Sequence, residues 1–176
     1  MKYFIIGILM FFQANCQENN QKDWTSDEKR RYENLKKLAQ YTYQKDDSQI
    51  SEQILFEKYI ELDYVLNDSN KKRSQSRLKY FDGYFRSFRK TLDSIGIENL
   101  DAKPMRFYKE NELFKYFIKS QKDNLPYVMA YYLKSDPENP LGTLLFDPNS
   151  DKLLSWIFLR QGETSGFYLT FDLVGN

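Results

Sequence analysis

The chain has 176 residues, with 26 lysines and arginines against 25 aspartates and glutamates, one cysteine and no histidine. Without histidine, Ser-His-Asp and Cys-His catalysis and imidazole metal sites are excluded in their usual form. The balanced charge argues against a protein that binds nucleic acid or another polyanion through bulk charge. The sequence therefore predicts a non-catalytic protein that holds neither a cofactor nor a metal ion.

Residues 1–16 have the pattern of an export signal. Lys2 gives a short positive start, and an uncharged run follows at residues 3–12. That run is too short to cross a bilayer, which needs about 20 apolar residues. A short apolar run behind a basic residue is typical of a secretory signal peptide. We therefore expect an exported protein.

Cys16 lies where such a signal is cut. It resembles the lipidated cysteine of a bacterial lipoprotein, with Gln13 and Asn15 departing from the usual residues ahead of that cysteine. The resemblance implies a periplasmic or outer-membrane-associated lipoprotein. Alternatively, Ala14 and Cys16 form a small-x-small cleavage site, and the protein is secreted with Gln17 as its first residue.

The rest of the chain is predicted to be one domain, residues 24–176, behind a polar, flexible tether at 17–23. Its first half has helical patterns. Thr25 and Glu28 fit a capping box, in which each side chain accepts a hydrogen bond from the other residue's backbone N–H. This pattern predicts a first helix over residues 26–44.

Apolar periodicity predicts three more helices. Residues 50–66 carry apolar side chains at helical spacing, although an alternation at 60–66 is also compatible with a strand. A shorter helix is expected at 111–121. The clearest helix ends before Gly96, a typical C-terminal stop. Its apolar stripe steps by three or four residues through Leu78, Phe81, Phe85, Phe88, Leu92 and Ile95.

From Pro126 onward the sequence predicts strands, because apolar or alternating runs are separated by short turn-rich segments. The fold class is therefore α+β, with three to four N-terminal helices packed on a C-terminal four-stranded antiparallel meander sheet. One face of this sheet is expected to pack on the helices and the other to be partly wet. The predicted strands are 127–134, 141–146, 153–160 and 167–174, with a further short one at Met105–Tyr108.

The strongest local charge lies at residues 71–90, where eight basic residues oppose Asp82 alone. Such a helix face can bind an acidic protein surface through charge complementarity. Export argues against nucleic acid, and membrane contact is expected only through a lipid anchor on Cys16. The alternative is the solvated back of an amphipathic helix. The candidate partner-binding residues are Arg77, Arg86, Arg89 and Lys90.

Three weaker patterns have simpler explanations. Asp147, Asn149 and Asp151 have the spacing of a calcium loop, but the sixth position lacks the required glycine, so a hairpin turn is expected. Carboxylates that could hydrolyse glycosides cluster at 57–63 and 110–112, as they commonly do on charged helix faces. Aromatic residues of the strands either line a ligand pocket or fill the core: Tyr131, Tyr132, Trp156, Phe158 and Tyr168.

The sequence is thus most typical of an exported binding protein that recognises another protein in the cell envelope, as an inhibitor or immunity protein does. One alternative is a small-ligand-binding α+β cone, which requires an open apolar pocket between helices and sheet. Another is a glycan hydrolase that depends on carboxylates, which requires two acids about 5–9.5 Å apart in a groove.

Overall fold

The computed structural model of the protein describes residues 21–161 and 164–167. The predicted signal peptide with Cys16, most of the predicted tether and the last predicted strand beyond Phe167 lie outside the described residues. Among the helices that the structure describes, none is long and apolar enough to cross a bilayer.

Helix α1, Ser26–Thr42, begins at the predicted capping box. The Glu28 backbone N–H donates to Thr25 Oγ1 at 3.2 Å, and the Thr25 backbone N–H donates to Glu28 Oε2 at 2.8 Å. The helix ends two residues earlier than predicted, because Tyr43 is extended and Gln44 has a positive φ of 52°. The predicted start of α1 is therefore confirmed.

The single helix predicted over residues 50–66 is wrong. The structure has two helices, α2 at Glu52–Lys58 and α3 at Asp63–Leu66, separated by an extended link. In that link Ile60 forms an isolated parallel bridge with Leu153, and the Glu61 backbone N–H donates to the Leu153 carbonyl at 2.9 Å. The alternation of apolar residues at 60–66, which was also compatible with a strand, therefore includes the segment that contacts the sheet.

Helix α4, Lys71–Ile95, contains the predicted apolar stripe. The Asn70 side chain accepts from the Arg73 backbone N–H at 3.1 Å and caps the first turn. Phe81 and Phe85 are buried in the core, and the helix stops at Gly96, which has a φ of +87° that L side chains rarely adopt. The predicted stripe and stop of α4 are confirmed.

Gly83 is expected to be a weak point of α4. It lies mid-helix on the exposed side, and a Cβ added there would meet nothing within 4 Å. Because glycine in a helix interior is less favourable than alanine by about 1 kcal/mol, we expect Gly83→Ala to raise the free energy of unfolding by about that amount. Urea denaturation measures the change. A lower midpoint for the variant would contradict the open surroundings of Gly83.

The sheet is a four-stranded antiparallel meander in the order β1-β2-β3-β4, as the predicted fold class requires. Its strands are β1 Leu100–Pro104, β2 Val128–Leu133, β3 Gly142–Phe146 and β4 Leu153–Ser155. A separate antiparallel hairpin consists of β5 Phe158–Gln161 and β6 Thr164–Phe167.

Two predicted strand positions are wrong. The segment Met105–Tyr108 is a 3-10 helix, and the first strand is the preceding segment, β1. The strand predicted at 153–160 is broken after Ser155, whose Oγ accepts from the Ile157 backbone N–H at 3.3 Å. The break sends the following residues into the separate β5–β6 hairpin. The predicted helix at 111–121 is a 3-10 turn followed by α5, Lys115–Ser120.

Both faces of the central strands are covered, where the sequence predicted one partly wet face. Toward α1–α4, Met129 and Leu144 join a core with Phe81 and Phe85. On the opposite face, Val128, Ala130 and Leu145 pack with residues of the 3-10 helix, α5 and the β5–β6 hairpin. The strands β2 and β3 are therefore apolar on both sides, a pattern that reads as a continuous apolar run in the sequence.

Candidate ligand pocket

A cavity of about 460 Å³ lies between the helix layer and the sheet. It is bordered by the second half of α1, the last turns of α4, the segment from Ile97 to Ala102, and β2 and β3. Cavities of about 300–1,000 Å³ are usual for small-molecule sites. The apolar side chains that line it are Leu35, Ala39, Phe88, Leu92, Ile97, Leu100, Ala102 and Leu144, joined by the rings of Tyr32, Tyr43 and Tyr131.

The helical walls follow from helix geometry. Leu35 and Ala39 lie one turn apart on α1, and Phe88 and Leu92 lie one turn apart on α4, so each pair projects from one helix face. The floor comes from the sheet. Ala102 pairs directly with Tyr131 across β1 and β2, and directly opposed residues share a face of a sheet.

Tyr131 presents an unused hydroxyl at the floor. Its ring lies edge-on to Phe88, with centroids 6.1 Å apart, and it covers Gly142 so closely that a Cβ there would be 2.7 Å from the hydroxyl oxygen. The hydroxyl makes no hydrogen bond with the described residues. Burial raises the pKa of Tyr131, so the group stays protonated and can donate.

The charges around the cavity are balanced. Among the described lining residues, three basic side chains accompany three acidic ones, and several are already engaged. Lys134 Nζ donates to the Glu98 carbonyl at 2.8 Å, and the Tyr43 hydroxyl donates to Glu98 Oε2 at 3.3 Å. The basic residues are Lys36, Arg89 and Lys134, and the acidic ones are Asp93, Glu98 and Asp101.

Tyr32 fixes one wall. Its hydroxyl donates to Asp101 Oδ1 at 2.8 Å and thereby connects α1 to β1. Burial first, and then this carboxylate, raise the pKa of Tyr32 far above its usual value. Tyr32 remains a neutral donor at any physiological pH, and the wall it forms is insensitive to pH.

Both tryptophans lie one ring behind the lining. Trp156 stacks on Phe88 with centroids 5.5 Å apart and an angle of 21°. Trp24 meets Tyr32 edge-on with centroids 5.3 Å apart. A molecule that enters the cavity therefore comes within reach of two natural fluorophores.

The four predicted partner-binding residues do not form one exposed surface. Arg89 is 7% exposed and pairs with Asp47 at 2.8 Å, while Arg77 Nη1 lies 3.3 Å from Asp68 Oδ2 with its side chain 14% exposed. Arg86 is half-exposed, and its guanidinium pairs with both Asp47 and Asp82. Lys90 is exposed and makes no ion pair within the described residues. A role in partner binding stays a prediction, now centred on Arg86 and Lys90.

Asp68 is expected to make stability depend on pH in the acid range. Hydrogen bonds from Arg73 and from the Asn70 backbone N–H lower its pKa from 3.8 to about 2. A pKa below the unfolded value means that the stabilisation is complete above about pH 4 and is lost as the pH falls toward 2. Urea midpoints at pH 5 and pH 2.5 should therefore differ less in Asp68→Asn than in the wild type. An equal difference in both proteins would contradict this role.

The weaker candidate sites lie outside the cavity. Asp147 Oδ1 accepts from the Asn149 and Ser150 backbone N–H groups at 2.9 and 2.8 Å, as expected of a hairpin turn. The buried Asp151 faces arginines. Glu61 accepts from Ser150 Oγ at 3.0 Å, and none of the carboxylates at 57–63 or 110–112 lines the cavity. Among the described residues, no group of three His, Cys, Asp or Glu side chains could hold a metal ion.

The aromatic residues predicted for the strands divide between three places. Tyr131 lines the cavity, Trp156 lies behind its wall, and Phe158 packs in the core on the opposite face of the sheet. Tyr132 is buried and does not line the cavity, and Tyr168 lies outside the described residues. Helical spacing placed Ala39 on the apolar face of the first helix but did not assign it to a pocket, and sequence reasoning missed Ala102, a small residue that carries no signal unless its neighbours in space are known.

Comparison with protein family models, with curated proteins and with solved structures finds no match to this chain.

Proposed function

We propose that the protein binds a small, largely apolar molecule in the cavity between α1, α4 and the sheet, and that it does so without altering the molecule. The observation that supports this is the cavity itself, about 460 Å³ and lined mainly by apolar side chains. A ligand of this kind gains free energy through burial of its apolar surface, by about 25 cal/mol per Å². The proposal takes up the α+β cone considered from the sequence.

The test uses Prodan, an uncharged fluorescent naphthalene that carries one ketone. We expect saturable binding of one molecule per chain, with energy transfer from Trp156 behind the Phe88 wall. Ala39→Trp should abolish binding, because its indole occupies the space between the helices. Lys37→Trp is the matched control, since Lys37 is exposed on the same helix and does not line the cavity.

Two results would overturn the proposal. One is the absence of saturable Prodan binding to the wild-type protein. The other is equal Prodan affinity in Ala39→Trp, Lys37→Trp and the wild type, with near-ultraviolet circular dichroism showing that all three are folded. Both results would mean that the cavity is not a binding site for such molecules.

Protein recognition, the leading expectation from the sequence, stays a second candidate function because of the outer surface of α4. Tyr80 and Tyr84 lie one helical turn apart and are 49% and 39% exposed. Lys79 and Lys90 of the same helix are exposed and make no ion pair within the described residues. Exposed tyrosines and unpaired lysines on one helix suit an acidic protein surface, since tyrosine is enriched at interfaces and charge complementarity adds specificity.

This second candidate is tested by capturing partners from envelope extract on the immobilised protein. A specific partner should be lost with the double change Tyr80→Ala and Tyr84→Ala and retained with Tyr116→Ala, a tyrosine on α5 that is also 39% exposed. Loss in both variants, or in neither, would show that the α4 surface does not select the partner.

A further inference from the structure

We infer that the ligand of this cavity is uncharged and carries a hydrogen-bond acceptor, such as a ketone, ester or amide oxygen, that receives the hydroxyl proton of Tyr131. This inference rests on the proposed function and names the class of ligand. Tyr131 is then a specificity-determining residue of the site.

The hydroxyl of Tyr131 is a donor that the protein itself does not use. It belongs to a residue that lines a mainly apolar cavity, and no described residue accepts a hydrogen bond from it. A hydroxyl that is removed from water and left unpaired is costly. A ligand that displaces water from the cavity therefore binds well only when it offers an acceptor to this group. A site built in this way rejects an analogue that lacks the acceptor.

The ring that carries the hydroxyl is held in place from two sides. Phe88 meets it edge-on, and Gly142 lies beneath it where a Cβ would be 2.6 Å from the ring and 2.7 Å from the hydroxyl oxygen. A ring confined in this way gives its hydroxyl one position. Donors that are positioned before the ligand arrives lose little conformational freedom on binding, which favours affinity and selectivity.

The charged side chains of the lining are balanced in number, three basic and three acidic, so the rim favours neither sign of ligand charge. Lys134 and Tyr43 are engaged with Glu98, and the Asp101 carboxylate accepts from Tyr32. A charged group that moved from water to the apolar space between α1 and α4 would lose its hydration. The ligand class that fits is therefore neutral, with an apolar body between α1 and α4 and its acceptor directed to the floor.

The experiment compares Prodan with the analogue in which its ketone is reduced to a methylene group. We expect the wild type to bind Prodan about two- to tenfold more tightly than the analogue, the range of one neutral hydrogen bond. In Tyr131→Phe the ratio should fall to near one, and bound Prodan should emit at a shorter wavelength because its ketone no longer accepts a hydrogen bond. The sulfonated, charged probe anilinonaphthalene sulfonate should bind the wild type more weakly than Prodan.

The matched control is Tyr59→Phe, which removes the hydroxyl of another half-buried tyrosine that does not line the cavity. It should leave the Prodan-to-analogue ratio unchanged. Phenylalanine at 131 keeps the ring packed on Phe88 and Gly142, and the Prodan emission in the wild type reports the hydrogen bond even without a variant.

The outcomes separate the two proposals. If the ratio and the emission are the same in Tyr131→Phe and wild type while Ala39→Trp still blocks Prodan, the cavity binds ligands and the role of Tyr131 is refuted. If anilinonaphthalene sulfonate binds at the cavity as tightly as Prodan, the uncharged ligand class is refuted. If wild type binds no probe, both the inference and the proposed function fail.

Discussion

Replacing Asp151 with alanine is expected to lower the free energy of unfolding by about 3–5 kcal/mol, the usual effect of removing one partner from a buried ion pair. Asp151 is 8% exposed, and its two oxygens lie 2.8 Å from Arg31 Nε and 2.9 Å from Arg30 Nε. Arg31 is itself only 3% exposed. Without Asp151, its guanidinium would remain in the protein with no counter-ion.

The backbone conformation at Asp151 makes alanine less favourable still. It therefore allows a comparison between the alanine and asparagine variants. Its φ of 55° is in the left-handed region, which asparagine and aspartate tolerate better than alanine does. We therefore expect the order of stability wild type, Asp151→Asn, Asp151→Ala, as measured by urea denaturation. Equal midpoints for the alanine variant and the wild type would show that this cluster does not hold α1 to the β3–β4 connection.

Replacing Arg89 with alanine should have the second-largest effect, a loss of about 2–4 kcal/mol in the free energy of unfolding. Its Nη1 pairs with Asp47 at 2.8 Å, and its Nη2 donates to the carbonyl oxygens of Thr42, at 3.3 Å, and Lys45. The Arg89 guanidinium thus connects the segment that follows α1 to the side of α4. Lysine should not restore this stability, because a single ammonium group lacks the planar fork of donors.

Arg86→Ala is the matched control for Arg89→Ala. It removes the same residue type three positions earlier on α4, and its side chain is 43% exposed. Exposed ion pairs are worth about 0–1 kcal/mol, so the urea midpoint should move little. If both arginine variants unfold at the same urea concentration, the buried position of Arg89 is not what stabilises the fold.

Local patterns in the sequence predicted much of the helical layer. The stripe through Phe81 and Phe85 and the capping box at Thr25 depend on residues three or four positions apart, so they could be recognised without the fold. The break between α2 and α3 could not, because it exists for a bridge from Ile60 to Leu153. That contact joins residues far apart in the chain and is decided by the position of β4.

The charged residues of α4 show the same limit of prediction from local sequence. Counting residues identified the excess of basic residues at 71–90. It could not predict the surroundings of each side chain. Arg89 is buried because Asp47 and two carbonyl groups, more than forty residues away in the chain, are placed beside it. Arg77 is drawn toward Asp68 in the same way. Helix period alone does not place a long arginine side chain, which can extend along a neighbouring element.

Some residues that line the cavity could be predicted from the sequence, but the cavity itself could not. Apolar periodicity identified Phe88 and Leu92 as residues of a buried helix face, and Tyr131 was a candidate for a pocket or a core. Whether such faces close on each other depends on the distance between two helices and on small residues such as Ala39. Volume is a property of the assembled layers, and no local pattern contains it.

The way in which the chain enters α1 limits how far this domain could stand from a membrane. Arg106 Nη2 donates to the Asp23 carbonyl at 2.6 Å, and Trp24 is 8% exposed, so the fold holds the chain from Asp23 onward. Seven residue steps separate Asp23 from Cys16, and an extended chain covers at most about 25 Å over that number. A lipid on Cys16 would therefore keep the domain close to the bilayer surface, where apolar molecules are most concentrated.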